Sequence, residues 1–356
     1  MNHMAIYFIF YFLIIFGCFL IRKGRTKYKK QEAVYLTACL TMLMALRHPS
    51  MGTDLGYRSF TGYLYSFQRI ADMSIGDVFK VKFLNYEKGY VLFNKLISFV
   101  SRDPQWLLTA CAVLCFVLIG AAIYESSDNI LFSFLVLFGL PVFLMYYSGL
   151  RQAIAISICF YSTVFAKDKK LLKFILTVLV ATLFHRSAIF FLLVYPVFHL
   201  RFKKETYLLS VFGIAVALVF NKPIFRILTM LMKENVSISS NYSIVLLVVF
   251  SLMYVFCLIF INQEDEKTQG YLNIFYIACL VQCMAPLHTL AMRIGYYFMI
   301  SLVVVLPNVI EQMSEARFRM VAKTFIPIIF VIYGLAQFAS SSWAMSNPYH
   351  FFWENI

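Results

Sequence analysis

The sequence predicts an all-α protein, built as a polytopic transmembrane helical bundle of about 12 spans with a large polar loop that contains amphipathic helices. Two observations lead to this fold class. Hydrophobic residues make up 62% of the 356 residues and charged residues only 13%, whereas soluble domains are about half apolar. Many apolar runs also approach the roughly 20 residues that a helix needs to cross a bilayer. We therefore expect residues 1–356 to form a single integral membrane domain.

The predicted spans are apolar runs separated by charged breaks. The first run, Ala5 to Ile21, has no basic region before it and no small-residue cleavage site after it, so it is predicted to be a span rather than a signal peptide. The runs lie near residues 4–21, 32–46, 105–124, 130–147, 149–166, 171–184, 187–200, 207–220, 243–261, 271–287, 294–310 and 324–340.

Four basic loops predict the orientation of these spans. With this span count all four loops fall on one side of the membrane, and the positive-inside rule makes that side cytoplasmic. Both termini, a large segment at 47–104 and a second segment at 221–242 are then on the outer side. The four loops run from Arg22 to Lys30, from Lys167 to Lys173, from Arg201 to Lys204 and from Arg317 to Lys323.

The net charge of +14 does not predict a nucleic-acid partner. Much of this charge belongs to the basic loops, which are attracted to anionic lipid head groups. The sequence contains no Gly-rich phosphate loop, zinc-ligand spacing or haem motif, so we expect no cofactor and no metal. The eight cysteines all lie inside apolar runs, where small buried side chains are the ordinary interpretation.

Each outer segment is predicted to contain an amphipathic helix. Residues 86–100 carry an apolar stripe that includes Leu92, Leu96 and Val100 at helical spacing, which favours a helix lying on the membrane surface. In the second segment, Pro223 stands where a helix can begin, and Lys222, Arg226, Thr229 and Lys233 then share one face.

Three arginines stand apart from the basic loops. In the predicted orientation Arg151, Arg186 and Arg293 each begin a helix that runs inwards from the outer side. A helix N-terminus carries partial positive charge, so a cation there is disfavoured unless an anion is present. Helix N-termini and arginine side chains both bind phosphate well. We therefore expect a phosphate or diphosphate site, although each arginine taken alone could simply reach the membrane interface.

Histidines and carboxylates near these arginines are candidate proton acceptors. His185 directly precedes Arg186, and His288 lies five residues before Arg293, so either could bind phosphate or move a proton. Asp54 and Glu87 are the outer carboxylates nearest to turn-like or helix-start positions. A carboxylate on a wet loop is more often only solvated, and the spacing does not choose among these groups.

Four short motifs carry a resemblance to a known family. They are Arg47 with Gly52-Thr53-Asp54 and Tyr57, Glu87-Lys88-Gly89-Tyr90, Gly149-Leu150-Arg151-Gln152-Ala153, and His185-Arg186-Ser187-Ala188. In order and spacing they resemble the EpsG-like branch of the Wzy-type polysaccharide polymerases. The likeness covers most of the chain and is less distinct in its last third, so Arg293 depends on the electrostatic argument.

The resemblance implies a bacterial inner-membrane glycosyltransferase of surface polysaccharide assembly with its active site on the outer face. Such enzymes move a growing glycan from one undecaprenyl diphosphate to the repeat unit carried by another, without a nucleotide sugar. The implied partners are an undecaprenyl-diphosphate-linked oligosaccharide, membrane lipids, a chain-length regulator and a flippase.

Within that family reading, the candidate residues take three roles. We expect Arg151, Arg186, Arg293 and Arg47 to bind the diphosphate, and Asp54, Glu87 or His185 to act as the catalytic base. Tyr57, Tyr90, Gln152 and His288 are the predicted substrate-binding residues. The alternatives are a flippase or transporter of the same lipid-linked unit and another outer-face transferase, either a glycan ligase or an acyltransferase.

Overall fold

The computed structural model describes residues 4–23, 27–80, 86–202, 204–232, 238, 244–340, 342 and 344–356, and within these ranges the chain is all helical. Three 3₁₀ helices cover Thr53–Leu55, Pro141–Leu144 and Arg186–Leu193. The α-helices are α1 (Ala5–Arg22), α2 (Lys29–Ala45), α3 (Gly62–Asp72), α4 (Ile75–Lys80), α5 (Lys88–Ser98), α6 (Pro104–Ser126), α7 (Ile130–Gly139), α8 (Met145–Ser148), α9 (Leu150–Lys167), α10 (Leu171–Thr182), α11 (Val194–Phe198), α12 (Lys204–Val219), α13 (Asn221–Met232), α14 (Val245–Phe260), α15 (Glu266–Gln282), α16 (Thr289–Met299), α17 (Leu302–Glu311) and α18 (Ala316–Ser340).

Each of the twelve predicted apolar runs coincides with a helix or with a bent pair of helices, so the all-α prediction is confirmed. By length and hydropathy, α1, α6 and α18 can each cross a membrane. The described residues then supply 3 possible spans, or up to 6 if each bent pair of helices crosses as one span. The bent pairs are α7 with residues 141–148 (69°), α12 with α13 (76°) and α16 with α17 (44°). The figure of about 12 spans stays a prediction.

Helices α7, α9 and α17 form the centre of the bundle, because nearly all their side chains are buried. Helix α9 packs between α6 and α10, and α18 packs against α7. The outlying helix α1 turns Tyr7, Tyr11 and Ile14 inwards and leaves Phe12 and Phe19 exposed. A long helix that is apolar on both its buried and its exposed face is expected where the surrounding solvent is lipid.

The four basic loops gather at one end of the bundle, which we call the basic end. Helix α9 begins at Leu150 and ends at Lys167, so its first and last residues stand about 25 Å apart, with Arg151 at the opposite end from this loop. A chain of polar contacts joins the loops to one another. Its members are Arg22 to Asn129 (3.4 Å), Asn129 to Glu311 (2.9 Å), Glu311 to Lys323, Lys267 to Asp128 (2.8 Å), Arg201 to Glu266 (2.8 Å) and Lys169 to Glu266 (3.6 Å).

The first outer segment is anchored on the turn that precedes α9. The backbone N–H of Thr53 donates to the Ser148 Oγ at 3.0 Å. The buried Arg47 donates to the carbonyl oxygen of Tyr147 at 3.3 Å. The C-terminal residues pair with the same region, since the His48 N–H donates to the His350 carbonyl at 2.8 Å. Residues 95 and 100 positions apart therefore fix the turn before α9 together.

Both predicted amphipathic helices are present, with some differences in their faces. Helix α5 turns Asn94 and Lys95 inwards, while Leu96 on the predicted apolar stripe is exposed. Helix α13 exposes Lys222 and Arg226 as predicted, but its Thr229 is buried. The prediction for Lys233 falls outside the described residues.

We predict that Gly52→Ala destabilises the protein. Gly52 has a φ of +124°, and a Cβ there would overlap the carbonyl oxygen of Tyr147. Both the strained backbone, which costs of order 1–3 kcal/mol, and the overlap act against the folded state. Thermal unfolding of the purified protein should shift down, whereas the control Gly76→Ala, whose nearest neighbour is the Ser74 Oγ at 3.8 Å, should unfold as the unaltered protein does. Equal unfolding temperatures for the two variants would contradict this account.

Candidate functional site

Glu87 is the centre of a polar cluster at the end of the bundle opposite the basic end. Its Oε2 accepts from an Arg151 guanidinium nitrogen at 2.6 Å, and its Oε1 accepts from the backbone N–H of Arg186 at 3.0 Å. The ion pair is partly sheltered, with the two side chains 20% and 15% exposed. One carboxylate therefore joins the outer segment to the start of α9 and to the 3₁₀ helix that begins at Arg186.

The Glu-Lys-Gly-Tyr motif explains why Glu87 lies there. Glu87 directly precedes α5, and the Tyr90 N–H donates to the carbonyl oxygen of Leu183 at 3.1 Å. Gly89 lies so close to this carbonyl that a Cβ would stand 2.7 Å from it, and real side chains avoid such a distance. The glycine thus lets the start of α5 dock against the loop that leads to His185.

Three tyrosines, Tyr63, Tyr86 and Tyr90, pack together beside Arg151, and we call this group the tyrosine wall. The Arg151 guanidinium carbon lies 4.3 Å from the centre of the Tyr86 ring, and its Nε donates to the Tyr63 Oη at 3.4 Å. Burial raises the pKa of Tyr63 to about 12; Arg151 opposes this shift, and Asp54 adds to it. Asp54 is therefore close enough to act on Tyr63, and its own side chain is exposed.

Tyr90, a predicted substrate-binding residue, supports the other two tyrosines of this wall from beneath. Its side chain is fully buried, and its ring meets the edges of Tyr63 and Tyr86 at 5.6 Å. The Tyr90 hydroxyl has no hydrogen-bond partner among the described residues. In this arrangement Tyr90 shapes the site through packing and presents no atom to the surface.

His185 lies within the electrostatic reach of all three singled-out arginines. Burial lowers the pKa of His185 to about 4; Glu87 opposes this shift, and Arg151, Arg293 and Arg186 add to it. The carboxylate of Glu87 and the amide of Gln152 contact the start of α9, the Arg186 N–H and the Arg293 carbonyl, so these three parts of the chain lie near one another. Among the described groups that act on His185, the guanidinium groups outnumber the carboxylate.

A short hydrogen-bond chain orients the His185 ring. Its Nδ1 lies 2.7 Å from the Ser187 Oγ, and that hydroxyl donates to the Tyr297 Oη at 3.1 Å. A serine hydroxyl has one proton, so a Ser187 that donates to Tyr297 can only accept from His185. Nδ1 then carries the proton of the neutral ring, and Nε2 keeps a lone pair with which it can accept another proton.

Gln152 and His288 hold the helix that carries Arg293. The Gln152 Nε2 donates to the backbone carbonyl of Arg293 at 2.7 Å. His288 is the N-cap of α16, and its Nδ1 accepts from the Leu290 N–H at 3.0 Å. Both predicted substrate-binding residues therefore make contacts that position α16. The side chains of Arg293 and Arg186 are exposed and can reach a ligand from outside.

Arg47 and Tyr57, which were predicted to bind the diphosphate and the substrate, contact residues outside the polar cluster around Glu87. Arg47 is only 2% exposed, and its guanidinium carbon lies 5.3 Å from the Tyr147 ring centre. Its contacts hold the turn before α9, so this arrangement gives Arg47 no surface at which a diphosphate could meet it directly. Tyr57 meets the edge of the His48 ring at 4.9 Å and the Arg58 guanidinium carbon at 5.0 Å.

An apolar cavity of about 100 Å³ adjoins the helices that carry the exposed arginines. The 3₁₀ helix that begins at Arg186 contributes Phe190 and Leu193 to the cavity wall. Helix α16 carries Arg293 and contributes residues such as Ala291. Helix α13 closes another side. The full lining is Phe190, Leu193, Phe225, Leu228, Thr229, Ile277, Val281, Met284, Leu290, Ala291, Ile294 and Phe298.

Comparison with known proteins identifies a family for this chain. A family model described as the EpsG family matches residues 32–351, which is nine-tenths of the chain. The matched part includes every residue of the polar cluster. No curated protein and no solved structure gives a significant match to the chain.

We predict that Glu87→Gln weakens the fold and strengthens anion binding. The amide keeps the shape of the side chain but leaves the Arg151 cation without its carboxylate, which costs on the order of 1–3 kcal/mol. Inorganic pyrophosphate should then raise the unfolding temperature of Glu87→Gln more than that of the unaltered protein, because in the variant pyrophosphate no longer competes with a carboxylate for Arg151. Glu125→Gln, at the basic end, is the matched control, and an equal effect of pyrophosphate on all three proteins would refute the competition.

Proposed function

The chain belongs to the EpsG family, and from that premise we propose that it polymerises lipid-linked repeat units of a surface polysaccharide. Membership of the family and the apolar helices indicate a polysaccharide-polymerase-like membrane protein. The finer proposal is transfer of a growing glycan from undecaprenyl diphosphate onto an incoming repeat unit that is also linked to undecaprenyl diphosphate. The reaction then takes place at the outer leaflet of the bacterial cytoplasmic membrane, where no nucleotide sugar is available.

The observation that carries this proposal is the set of three arginines around His185. Arg151 lies in the first turn of α9 and Arg186 begins its 3₁₀ helix, whereas α16 begins at Thr289 and places Arg293 in its second turn, not at its start as predicted. At Arg151 and Arg186 the positive charge adds to that of the helix N-terminus, so the site favours a multiply charged anion. In the reaction the diphosphate is the leaving group, and fixed cations would stabilise the charge that develops on it.

Glu87 and His185 have different chemical roles in this proposal. Both carboxylate oxygens of Glu87 are already engaged, one by Arg151 and one by the Arg186 N–H, so Glu87 is assigned the role of positioning Arg151. His185 has Nε2 available, and a bound diphosphate would raise its pKa from about 4 towards the range in which an imidazole is an effective general base for the acceptor hydroxyl. Asp54, exposed and close enough to affect Tyr63, is the second candidate for the base.

The apolar cavity beside the cluster suits the lipid portion of such a substrate. A polyprenyl diphosphate has a charged head joined to a hydrocarbon chain, and α16 presents Arg293 together with apolar residues of the cavity wall. Ligand sites commonly combine an apolar wall with a few convergent polar groups. The proposed substrate would therefore place its diphosphate on the arginines and the first part of its chain among the helices.

Reconstitution of the purified protein tests the proposed reaction. The protein in nanodiscs would receive one defined repeat unit on undecaprenyl diphosphate, with no nucleotide sugar, and the products would be separated by length. A ladder of longer lipid-linked glycans is expected. Transfer of finished glycan to a different acceptor would indicate a ligase, and movement of unextended unit across a vesicle membrane would indicate a flippase; either result without a ladder would overturn the proposal.

We predict that Arg293→Ala shortens the product in cells. Loss of one fixed positive group that stabilises the leaving diphosphate should lower the rate on the order of 10²-fold. The measured quantity is surface polysaccharide length at matched protein level, and single repeat units should predominate. Arg69→Ala removes an exposed arginine from α3 and is the control that should keep long polymer. Long polymer in both strains would remove Arg293 from the mechanism.

We predict that the enzyme loses activity on the acidic side only at unusually low pH; this fall is the acid limb of its pH–rate profile. With its pKa lowered to about 4, His185 stays neutral and able to accept a proton well below the usual histidine range of about 6.5. The kcat/KM of the free enzyme should therefore fall only as the pH approaches about 4. Bound diphosphate favours the imidazolium form, so the limb in kcat should lie at higher pH.

Two variants assign this limb. Carboxylates ordinarily titrate at about pH 4 as well, so Asp54→Asn and His185→Gln must be compared. If His185 is the base, His185→Gln loses both the limb and most of the rate, whereas Asp54→Asn keeps the limb. The reverse pattern would transfer the role to Asp54, and a limb near pH 6.5 in kcat/KM would contradict the low pKa.

A further inference from the structure

A charged cavity, distinct from the apolar cavity described above, lies at the basic end, far from the arginine cluster. Its volume is about 650 Å³, which is within the range of about 300–1,000 Å³ for small-molecule sites. It lies between the start of α2, the ends of α1 and α6, and the start of α7. Five cations and three carboxylates contribute to its wall: Arg22, Lys27, Lys29, Lys30 and Lys323, with Glu32, Asp128 and Glu311.

All three carboxylates of this wall are already in ion pairs. Glu32, which is 1% exposed, binds Arg22 at 2.6 Å. Glu311 binds Lys323. Asp128 binds Lys267, which lies on α15 just outside the wall, at 2.8 Å. The acidic groups of the cavity are therefore neutralised by cations other than the three lysines at the start of α2.

Those three lysines lie outside these ion pairs, and Asp128 acts on Lys29 only at longer range. Lys27, Lys29 and Lys30 form no ion pair within the described part of the chain. The Lys29 Nζ lies 5.5 Å from the centre of the Tyr124 ring, so this side chain extends along the cavity wall. Three like charges within four residues repel one another.

The start of α2 adds to this repulsion. Lys29 and Lys30 occupy the first turn of the helix together with Glu32, whose carboxylate binds Arg22, and no side chain caps the N-terminus. Its free backbone N–H groups and the helix dipole both place positive potential at the point where the lysines meet. A bound anion would satisfy the amides and offset the repulsion at the same time.

We propose that this cavity binds a phosphate group through Lys27, Lys29, Lys30 and the first turn of α2. Phosphate suits the site because lysine is a common phosphate ligand and a helix N-terminus supplies further donors. The group can be presented by a soluble phosphate ester or by the head group of an anionic phospholipid. The site is separate from the proposed diphosphate site, since the two lie at opposite ends of the bundle.

The test compares two double variants of the full-length protein. Lys27→Gln/Lys30→Gln removes two cations from the cavity. Lys173→Gln/Arg317→Gln removes two exposed cations from the same end of the bundle but outside the cavity, so it is matched in charge and in topology signal. Arg293→Ala is included because pyrophosphate can also bind the arginine cluster.

Two probes separate the possible sources of the phosphate. Inorganic pyrophosphate is titrated calorimetrically against protein in phosphatidylcholine nanodiscs. Native mass spectrometry counts the lipids retained from nanodiscs that contain phosphatidylglycerol. We expect either the affinity for pyrophosphate or the retention of phosphatidylglycerol to fall at least tenfold in Lys27→Gln/Lys30→Gln. The same quantity should be unchanged in the control double variant and in Arg293→Ala.

Each result has a distinct meaning. Loss of the pyrophosphate component assigns a soluble phosphate ester, and loss of retained phosphatidylglycerol assigns a lipid head group. If the cavity variant and its control behave alike with both probes, the lysines only mark the orientation of the chain, and the proposal fails. A pyrophosphate component that disappears only in Arg293→Ala, with phosphatidylglycerol retained equally by the cavity variant and its control, would likewise overturn this site while leaving the proposed function in place.

Discussion

The ion pair between Glu87 and Arg151 holds the candidate site together. Two separate parts of the chain meet there, because α5 belongs to the outer segment and α9 to the centre of the bundle. The same carboxylate accepts from the Arg186 N–H and so brings in a third part. Breaking one partner of a sheltered ion pair is costly, since the remaining charge is left uncompensated. One side chain therefore contacts all three parts, in addition to the backbone bond from Tyr90 to Leu183 that joins two of them.

The same ion pair sets the terms on which an anion can bind. Glu87 pairs with the Arg151 side chain, and the exposed Arg293 side chain forms no ion pair among the described residues, so an attraction for negative charge remains at Arg293. Arg151 is different, because a ligand must share it with Glu87 or displace that carboxylate. A site of this kind is assembled before its ligand arrives, and preassembled dipoles and charges are the arrangement that stabilises a developing anion at least cost in reorganisation.

Local patterns in the sequence predicted the helices and the arginines, because both signals depend on near neighbours. Apolar runs mark helices directly, and a cation at a helix start is unusual wherever the helix goes. The Glu87–Arg151 pair joins residues 64 positions apart, and the contact between Ser187 and Tyr297 joins residues 110 apart. Such contacts depend on how helices pack, and no local pattern encodes them. Tyr63, Tyr86, Ser187 and Tyr297 were missed for this reason.

Burial was the other property that sequence position did not reveal. Arg47 and Tyr90 belong to motifs beside a polar loop, which suggested exposure to a ligand. Both side chains are buried, and each supports a neighbour that does reach the site. Arg47 holds the turn before α9, and Tyr90 packs beneath the tyrosines that flank Arg151. A motif residue can thus be required by the fold of a site without meeting its ligand.

The two ends of the bundle place cations at helix starts, but with different side chains. Arginine offers a planar fork that can hold two oxygens of a phosphate in fixed geometry, whereas lysine is a flexible, strongly hydrated point charge. A group transfer from a diphosphate needs cations that stay aligned as the bond breaks. An exchangeable phosphate that only occupies a cavity needs no such alignment. Arginine at the proposed reaction site and lysine at the basic end follow this division.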